Sequence, residues 1–209
     1  MKENEGDGIM KATMQARLIG QIYHHACKEY LRKKGVSGQA IKKIRKEYLT
    51  VRARAKDIGA KNMTGSYVMG IYFIALNRES GLSAEDNYDV FYQGIAHSKM
   101  IKSSLGDAES YLSEKRLSGR LKWAEESHKK QYENDWVLDV LPGNGVYDLG
   151  YDYHECGIVK ICRDEGCAEL ASYLCRLDYL LADLMGLTLK REGTLADGAD
   201  KCDFRYSRK

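Results

Sequence analysis

Residues 166–206 carry the strongest fold signal of the chain and read GCAELASYLCRLDYLLADLMGLTLKREGTLADGADKCDFRY. Leucines recur there at three- and four-residue steps, which predicts a helix with one apolar face. They are Leu170, Leu174, Leu177, Leu181 and Leu184. Gly186 then predicts the end of this helix, and strand-like runs follow at 187–193 and 201–206, with Gly198 in the loop between them. The stretch therefore predicts one long helix followed by two strands.

An adjacent face of this predicted helix carries a thiol beside a carboxylate. Cys175 and Asp178 are three residues apart, which places them on the same side of a helix together with Ala171 and Ala182. A helix whose only role is to pack against the core does not require a thiol beside a carboxylate. The alternative is that Cys175 is a small buried hydrophobe, which is the usual role of a free cysteine.

A change of pattern at Asn134 predicts that strands also precede the helix. Apolar residues alternate through 136–140, and the PGNG at 142–145 is a strong turn signal. The run 146–155 places tyrosines on one face and acidic residues with His154 on the other. We therefore predict an antiparallel hairpin with an aromatic side and an acidic side.

Residues 10–132, by contrast, predict helices. The run Met63–Leu76 is apolar on all sides, as in a helix at the middle of a bundle, and Ser83 begins a capping box. The predicted helices cover residues 10–34, 41–58, 63–76, 83–106 and 107–132. We predict an α+β fold in which about five helices pack on a C-terminal antiparallel sheet with one long helix. A single domain is expected over 1–209, with the helical part at 10–132 and a mixed α/β part at 134–206.

Composition places the chain among globular proteins. It has 209 residues, of which 44% are hydrophobic and 30% charged. The first residues lack the apolar core of a secretion signal, and Met63–Leu76 is too short to span a bilayer. We therefore expect a cytoplasmic location, no membrane partner, and six cysteines that are reduced thiols rather than disulfides.

One segment is strongly basic. Between Leu31 and Lys61 the chain has eleven Lys or Arg and two acidic residues. Such a stripe is the electrostatic footprint of nucleic-acid binding, but no nucleic-acid motif accompanies it. A solvated helix face is the better interpretation, and a small molecule is the expected partner. A homo-oligomer stays open.

Four short motifs follow one another in the last third of the chain. They are Cys156-Gly157, CRLD at 175–178, TLADG at 194–198 and CDFR at 202–205. This order resembles the L-2-amino-thiazoline-4-carboxylic acid hydrolase family over about residues 130–206. The resemblance implies a cytoplasmic bacterial hydrolase that acts on a cyclic amidine-like C–N bond. Its substrate would be a small ring containing sulfur and nitrogen, which opens to an N-carbamoyl-cysteine type of product.

The motifs supply four candidate catalytic residues, Cys156, Cys175, Asp178 and Asp203. In one route the thiolate of Cys175 or Cys156 attacks the ring carbon and water later releases the product. In the other, Asp178 or Asp203 activates water as a general base. The adjacency of Cys175 and Asp178 favours the thiolate route. A carboxylate beside a thiol nevertheless raises the pKa of the thiol unless a cation is near.

The candidate substrate-binding residues are Arg205, Thr194, His154 and Cys202. The planar guanidinium of Arg205 suits both oxygens of a substrate carboxylate. Strand parity turns Cys202 toward the core and places Asp203 with Arg205 on the opposite face, where the two either line a cleft or pair with each other. His154 is the nearest candidate cation to Cys156.

Neither a metal nor a cofactor is expected. Cysteine, histidine and aspartate side chains of the last third are suitable zinc ligands, but no C-x2-C or H-x3-H spacing occurs among them. The main alternative to an enzyme is a non-catalytic small-ligand-binding or sensor domain, in which helices and sheet enclose an aromatic pocket.

Overall fold

Helices dominate the described chain up to residue 127, and a sheet organises the rest. The computed structural model describes residues 14–59 and 63–209. Its helical part contains α1 (Met14–Lys33), α2 (Gly38–Arg54), α3 (Thr64–Glu79), α4 (Ala84–His97), α5 (Lys99–Leu105), α6 (Ala108–Tyr111) and α7 (Glu114–Ser127). Its mixed part contains β1 (Val137–Pro142), β2 (Leu149–Glu155), α8 (Gly157–Asp164), α9 (Leu170–Leu184), β3 (Leu187–Lys190), a 3-10 turn (Leu195–Asp197) and β4 (Cys202–Arg208).

The four strands form one antiparallel sheet in the order β1-β2-β4-β3. In the central pair, Tyr151 lies opposite Phe204 and Tyr153 lies opposite Cys202. Every second residue of β4 is buried, namely Cys202, Phe204 and Tyr206, as strand parity predicts. The predicted α+β fold, with an antiparallel sheet and one long helix beside it, is confirmed.

Two of the predicted helices are each divided by a serine. Ser98 has an extended backbone, and its hydroxyl accepts a hydrogen bond from Ile101 N at 3.3 Å, so that α4 ends and α5 begins there. Ser113 is also extended, and its hydroxyl donates to Ser110 O at 2.9 Å between α6 and α7. Short polar side chains compete with the helical backbone for hydrogen bonds. Residues 10–13 of the first predicted helix lie outside the described residues.

The most apolar helix, α3, runs through the middle of the fold as its sequence predicts. Every residue from Tyr67 to Leu76 is buried, and α1, α2, α4, α8 and α9 pack around them. None of the described helices is long and apolar enough to cross a membrane. Buried residues of both parts, such as Tyr72 and Leu149, belong to one hydrophobic core. On this basis we propose that the chain is a single domain.

Candidate active site

A cavity of 320 Å³ lies between the inner face of the sheet, α9 and the helical part. Four of the candidate residues line it, namely Cys156, Cys175, Asp178 and Cys202. We call it the thiol cavity, after its three cysteines. Much of the remaining wall is aromatic or apolar and includes Tyr153, Phe204, Tyr206, Leu174, Leu181 and Met185.

A helix and a strand each present residues to the thiol cavity at their own sequence period. Helix α9 presents Cys175 and Asp178 beside its buried leucine stripe. Strand β4 presents Cys202 and every second residue after it. The two elements face each other because α9 passes through a turn at Gly186, with φ +78°, into β3, and β3 pairs with β4.

The third thiol enters the cavity from the Cys156-Gly157 motif. Cys156 follows β2 and occupies the N-cap position of α8. A side chain at position 157 has no room, since a Cβ there would lie 2.5 Å from the carbonyl oxygen of Asn134 and 2.6 Å from the ring of Trp136. Glycine therefore lets α8 begin against Trp136, which holds Cys156 at the cavity wall.

Arg191 is a candidate site residue that lies outside the four motifs. Its Nη1 lies 2.8 Å from Asp178 Oδ2, and its Nη2 donates to the carbonyl oxygen of Cys175 at 3.0 Å. Its side chain is only 5% exposed and lies over the ring of Phe204. Strand parity was the available signal, because Arg191 continues the inward-facing series of the buried Leu187 and Leu189.

The carboxylate and the thiols of the cavity differ in their pKa values and therefore in their charge at neutral pH. Burial raises the pKa of Asp178 to about 6, and the Arg191 guanidinium opposes this rise. Burial raises the pKa of Cys156 to about 12. The pKa of Cys175 is also raised, first by burial and then by the charge of Asp178. At neutral pH the cavity thus holds an ionised Asp178 and thiols that keep their protons.

Within residues 14–59 and 63–209, no group of three or more His, Cys, Asp or Glu side chains is arranged to hold a metal ion.

The burial of Cys202 also raises the pKa of its thiol, while its sulfur accepts a hydrogen bond from Leu195 N at 3.1 Å. This bond ties the loop before β4 to the cavity wall.

Two candidate residues on the other face of β4 lie outside the thiol cavity. The Asp203 carboxylate accepts hydrogen bonds from Glu192 N at 3.0 Å and Gly193 N at 2.9 Å, which shapes the loop after β3. Arg205 forms an ion pair with Asp152 at 2.8 Å and donates to a backbone carbonyl of β2. The two residues neither pair with each other nor share a cleft with Asp178.

Thr194 and His154 also lie outside the thiol cavity. The Thr194 hydroxyl accepts a hydrogen bond from Asp197 N at 3.1 Å and caps the 3-10 turn. His154 is exposed, and its Nε2 lies 2.8 Å from Asp139 Oδ2. It is therefore directed to the acidic outer face of the hairpin and does not serve as a cation for the cavity thiols.

Polar groups from outside the motifs complete the wall. Arg116 of α7 is exposed and lines the cavity, and its guanidinium has no ion-pair or hydrogen-bond partner in the described part of the chain. The hydroxyls of Tyr153 and Tyr206 likewise have no hydrogen-bond partner among the described residues. A second cavity of 460 Å³ shares Arg116 and Tyr153 with the first and adds Arg120. Arg116 thus stands where the two cavities adjoin.

A comparison with protein families matches residues 61–206 to the family described as L-2-amino-thiazoline-4-carboxylic acid hydrolase. The match begins far ahead of the motif region near residue 130. It takes in α3 to α7, which bring Ser66 and Arg116 to the thiol cavity. No curated protein and no solved structure matches the chain. Because the matched residues make up well over half of the chain, it belongs to the L-2-amino-thiazoline-4-carboxylic acid hydrolase family.

Proposed function

We propose that the protein is a hydrolase that opens a small cyclic amidine, such as L-2-amino-thiazoline-4-carboxylate, in the thiol cavity. The observation that carries this proposal is the partly buried Asp178 carboxylate, which is paired with Arg191 and faces the cavity with a pKa of about 6. A base with a pKa just below neutral is ionised at pH 7 and still accepts protons efficiently. The family of the chain supports the same reaction class.

In this mechanism Asp178 removes a proton from a water molecule as the water oxygen bonds to the ring carbon between sulfur and nitrogen. The C=N electron pair moves to the ring nitrogen, which takes up a proton from solvent, and the hydroxyl of the tetrahedral intermediate returns one proton to solvent when it becomes the carbonyl. The tetrahedral intermediate then forms a carbonyl and breaks the C–S bond, and protonated Asp178 returns its proton to the departing sulfur. One water is consumed and a free thiol with an N-carbamoyl group results. Both C–N bonds are retained, so that the bond broken is C–S rather than the C–N bond expected from the sequence.

Support for the carboxylate route over the thiolate route comes from the pKa values. With a pKa of about 12, the Cys156 thiol is ionised in only about one molecule in 10⁵ at pH 7. Arg191, the cation beside Cys175, already neutralises Asp178. The cysteines then serve to shape the wall and to keep it weakly polar beside the sulfur of the ring. Tyr153 and Tyr206 offer hydroxyl donors for the substrate nitrogens.

A pH profile tests the role of Asp178. A raised pKa keeps the carboxyl protonated, and thus inactive as a base, up to about pH 6. We expect kcat/KM to increase about tenfold per pH unit below pH 6 and to level off above it. Initial rates of N-carbamoyl-cysteine formation between pH 4.5 and 8.5 measure this. A rate that instead decreases above pH 6 would assign Asp178 as an acid.

Arg116 is the proposed residue for the substrate carboxylate, since it is the guanidinium at the cavity without a partner in the described residues. We expect Arg116→Gln to raise KM about 10- to 100-fold with little change in kcat, because a charged hydrogen bond is lost. Lys115→Gln, at the exposed neighbouring position of α7, should leave KM unchanged. With 2-amino-thiazoline, which lacks the carboxylate, wild type and Arg116→Gln should react alike. A difference between them there would contradict the assignment.

A ligand-binding sensor remains the competing function, because its pocket needs no base. It predicts that L-2-amino-thiazoline-4-carboxylate raises the melting temperature of the protein and is recovered intact. Turnover measured in the same sample separates the two functions, as only the hydrolase converts the ring to a product with a free thiol.

A further inference from the structure

The end of α8 places two cysteines side by side outside the thiol cavity. Cys167 N donates to Cys162 O at 2.8 Å, and Gly166 N donates to Arg163 O at 3.0 Å. Gly166 has φ +68°, the left-handed conformation that ends many helices. These bonds define a Schellman motif, in which the side chains at the positions of Cys162 and Cys167 normally make an apolar contact. Here both positions are cysteines, so that the contact brings two thiols together.

The two thiols differ in accessibility and in charge environment. Cys162 is fully buried, whereas Cys167 is half-buried. The interaction with the Cys162 thiol lowers the pKa of Cys167, and the charge of Arg78 adds to the lowering although Arg78 is itself paired with Glu165 and Glu47. Burial and the charges of Glu169 and Glu165 oppose it. Arg78 stays at the turn because its Nη2 donates to the carbonyl oxygen of Glu165 at 2.8 Å. Accessible and stabilised as a thiolate, Cys167 has the features of an attacking thiol.

We propose that Cys167 and Cys162 form a reactive dithiol that exchanges with small disulfides, with Cys167 as the attacking thiol and Cys162 as the resolving thiol. The Cys167 thiolate attacks one sulfur of glutathione disulfide, which forms a mixed disulfide and releases one glutathione thiolate. Cys162 then attacks the Cys167 sulfur, loses its proton and displaces the second glutathione. The protein loses two electrons and two protons, and the glutathione disulfide gains them.

This site is distinct from the proposed hydrolase site. Neither Cys162 nor Cys167 lines the thiol cavity. Their disulfide would close a loop of only a few residues between α8 and α9, where the Schellman hydrogen bonds already hold the backbone. The thiols of Cys156, Cys175 and Cys162, all with raised pKa values, are expected to react with glutathione disulfide far more slowly than Cys167, and Cys162 attacks only the mixed disulfide beside it.

Tryptic mapping of the full-length protein after exposure to glutathione disulfide tests the proposal. Cleavage at Arg163 separates Cys162, in peptide 161–163, from Cys167, in peptide 164–176. We expect these two peptides to be joined by a disulfide and no glutathione to be retained. Peptide 164–176 also contains Cys175, so fragmentation of the linked species must assign the bond to Cys167.

Two variants assign the roles. Cys162→Ser keeps a hydroxyl donor beside Cys167 and should trap glutathione stably on Cys167, at least about tenfold faster than on any other thiol. Cys167→Ser should yield neither the adduct nor the linked peptides. The proposal is overturned if wild type keeps a stable glutathione adduct on Cys167 or if another cysteine reacts first.

Alkylation of the wild-type protein gives a test that does not depend on the folding of either variant. Iodoacetamide labelling at pH 6 to 10 should reach its half-maximal rate for Cys167 at a lower pH than for a thiol in an unfolded peptide. A half-maximal pH for Cys167 at or above that of the peptide would contradict the attacking role. None of these readouts uses hydrolase activity, so the dithiol and the proposed function fail independently.

Discussion

Asp178→Asn is expected to lower kcat for L-2-amino-thiazoline-4-carboxylate about 10²- to 10⁴-fold, the usual contribution of a general base. Asparagine has the shape of aspartate and can still accept a hydrogen bond from Arg191, so the fold should persist. The amide cannot take a proton from water or return one to the ring sulfur. Chromatographic measurement of N-carbamoyl-cysteine at pH 8, with circular dichroism to verify folding, tests this expectation.

Two further variants make the result decisive. Asp183→Asn removes an exposed carboxylate of α9 that pairs with Lys209, and it should retain nearly full activity. Cys175→Ser should retain activity within about tenfold if the thiols only shape the cavity wall. An inactive Cys175→Ser protein together with an active Asp178→Asn protein would reverse the roles and support the thiolate route.

Arg191→Met is expected to produce the largest loss of stability. It leaves the Asp178 carboxylate inside the fold without its cation, and breaking such a buried pair typically lowers the free energy of unfolding by about 3–5 kcal/mol. We expect the lower end of that range because 24% of the Asp178 side chain is exposed. The carbonyl oxygen of Cys175 also loses a donor. Urea unfolding at pH 8 measures the change.

The pH dependence of this loss identifies its cause. Without Arg191 the pKa of Asp178 rises further above about 6, because the opposing cation is gone. At pH 5 the carboxyl is then neutral in the folded variant, and the stability difference from wild type should shrink. At pH 8 the folded variant must either ionise Asp178 without its cation or keep it protonated against the pH. The stability of the variant should therefore lie furthest below that of wild type at pH 8. A loss of stability that does not depend on pH would instead indicate lost packing over Phe204. As a control, Lys190→Met, at an exposed position of β3, should change the free energy of unfolding little.

Local periodicity predicted the parts of the candidate site that lie on regular elements. The three-residue step from Cys175 to Asp178 places both on one helix face, and the two-residue period of β4 turns Cys202 inward. All three residues line the cavity, as this reasoning requires. The same parity placed Asp203 and Arg205 on the opposite face, where they lie. Their partners, the loop after β3 and Asp152, depend on chain packing and could not be read from the spacing.

The proposed preference for the carboxylate route rests on a contact that spans a turn. Asp178 and Arg191 are thirteen residues apart, and their ion pair exists only because Gly186 reverses the chain between α9 and β3. Arg116 comes from a helix whose residues carry none of the four motifs. Neither the pairing of Arg191 with Asp178 nor the position of Arg116 at the cavity could be inferred from the neighbours of these arginines in the chain.

The amino-acid sequence by itself determined the α+β class, the helix and strand faces that bear the thiols and carboxylate, and the family. These follow from periodicity and short motifs, which depend on residues close together in the chain. The tertiary structure alone decided which of those groups share a cavity and which carry a charge there. Burial and the approach of Arg191 set the pKa of Asp178, and both arise only when distant segments pack together.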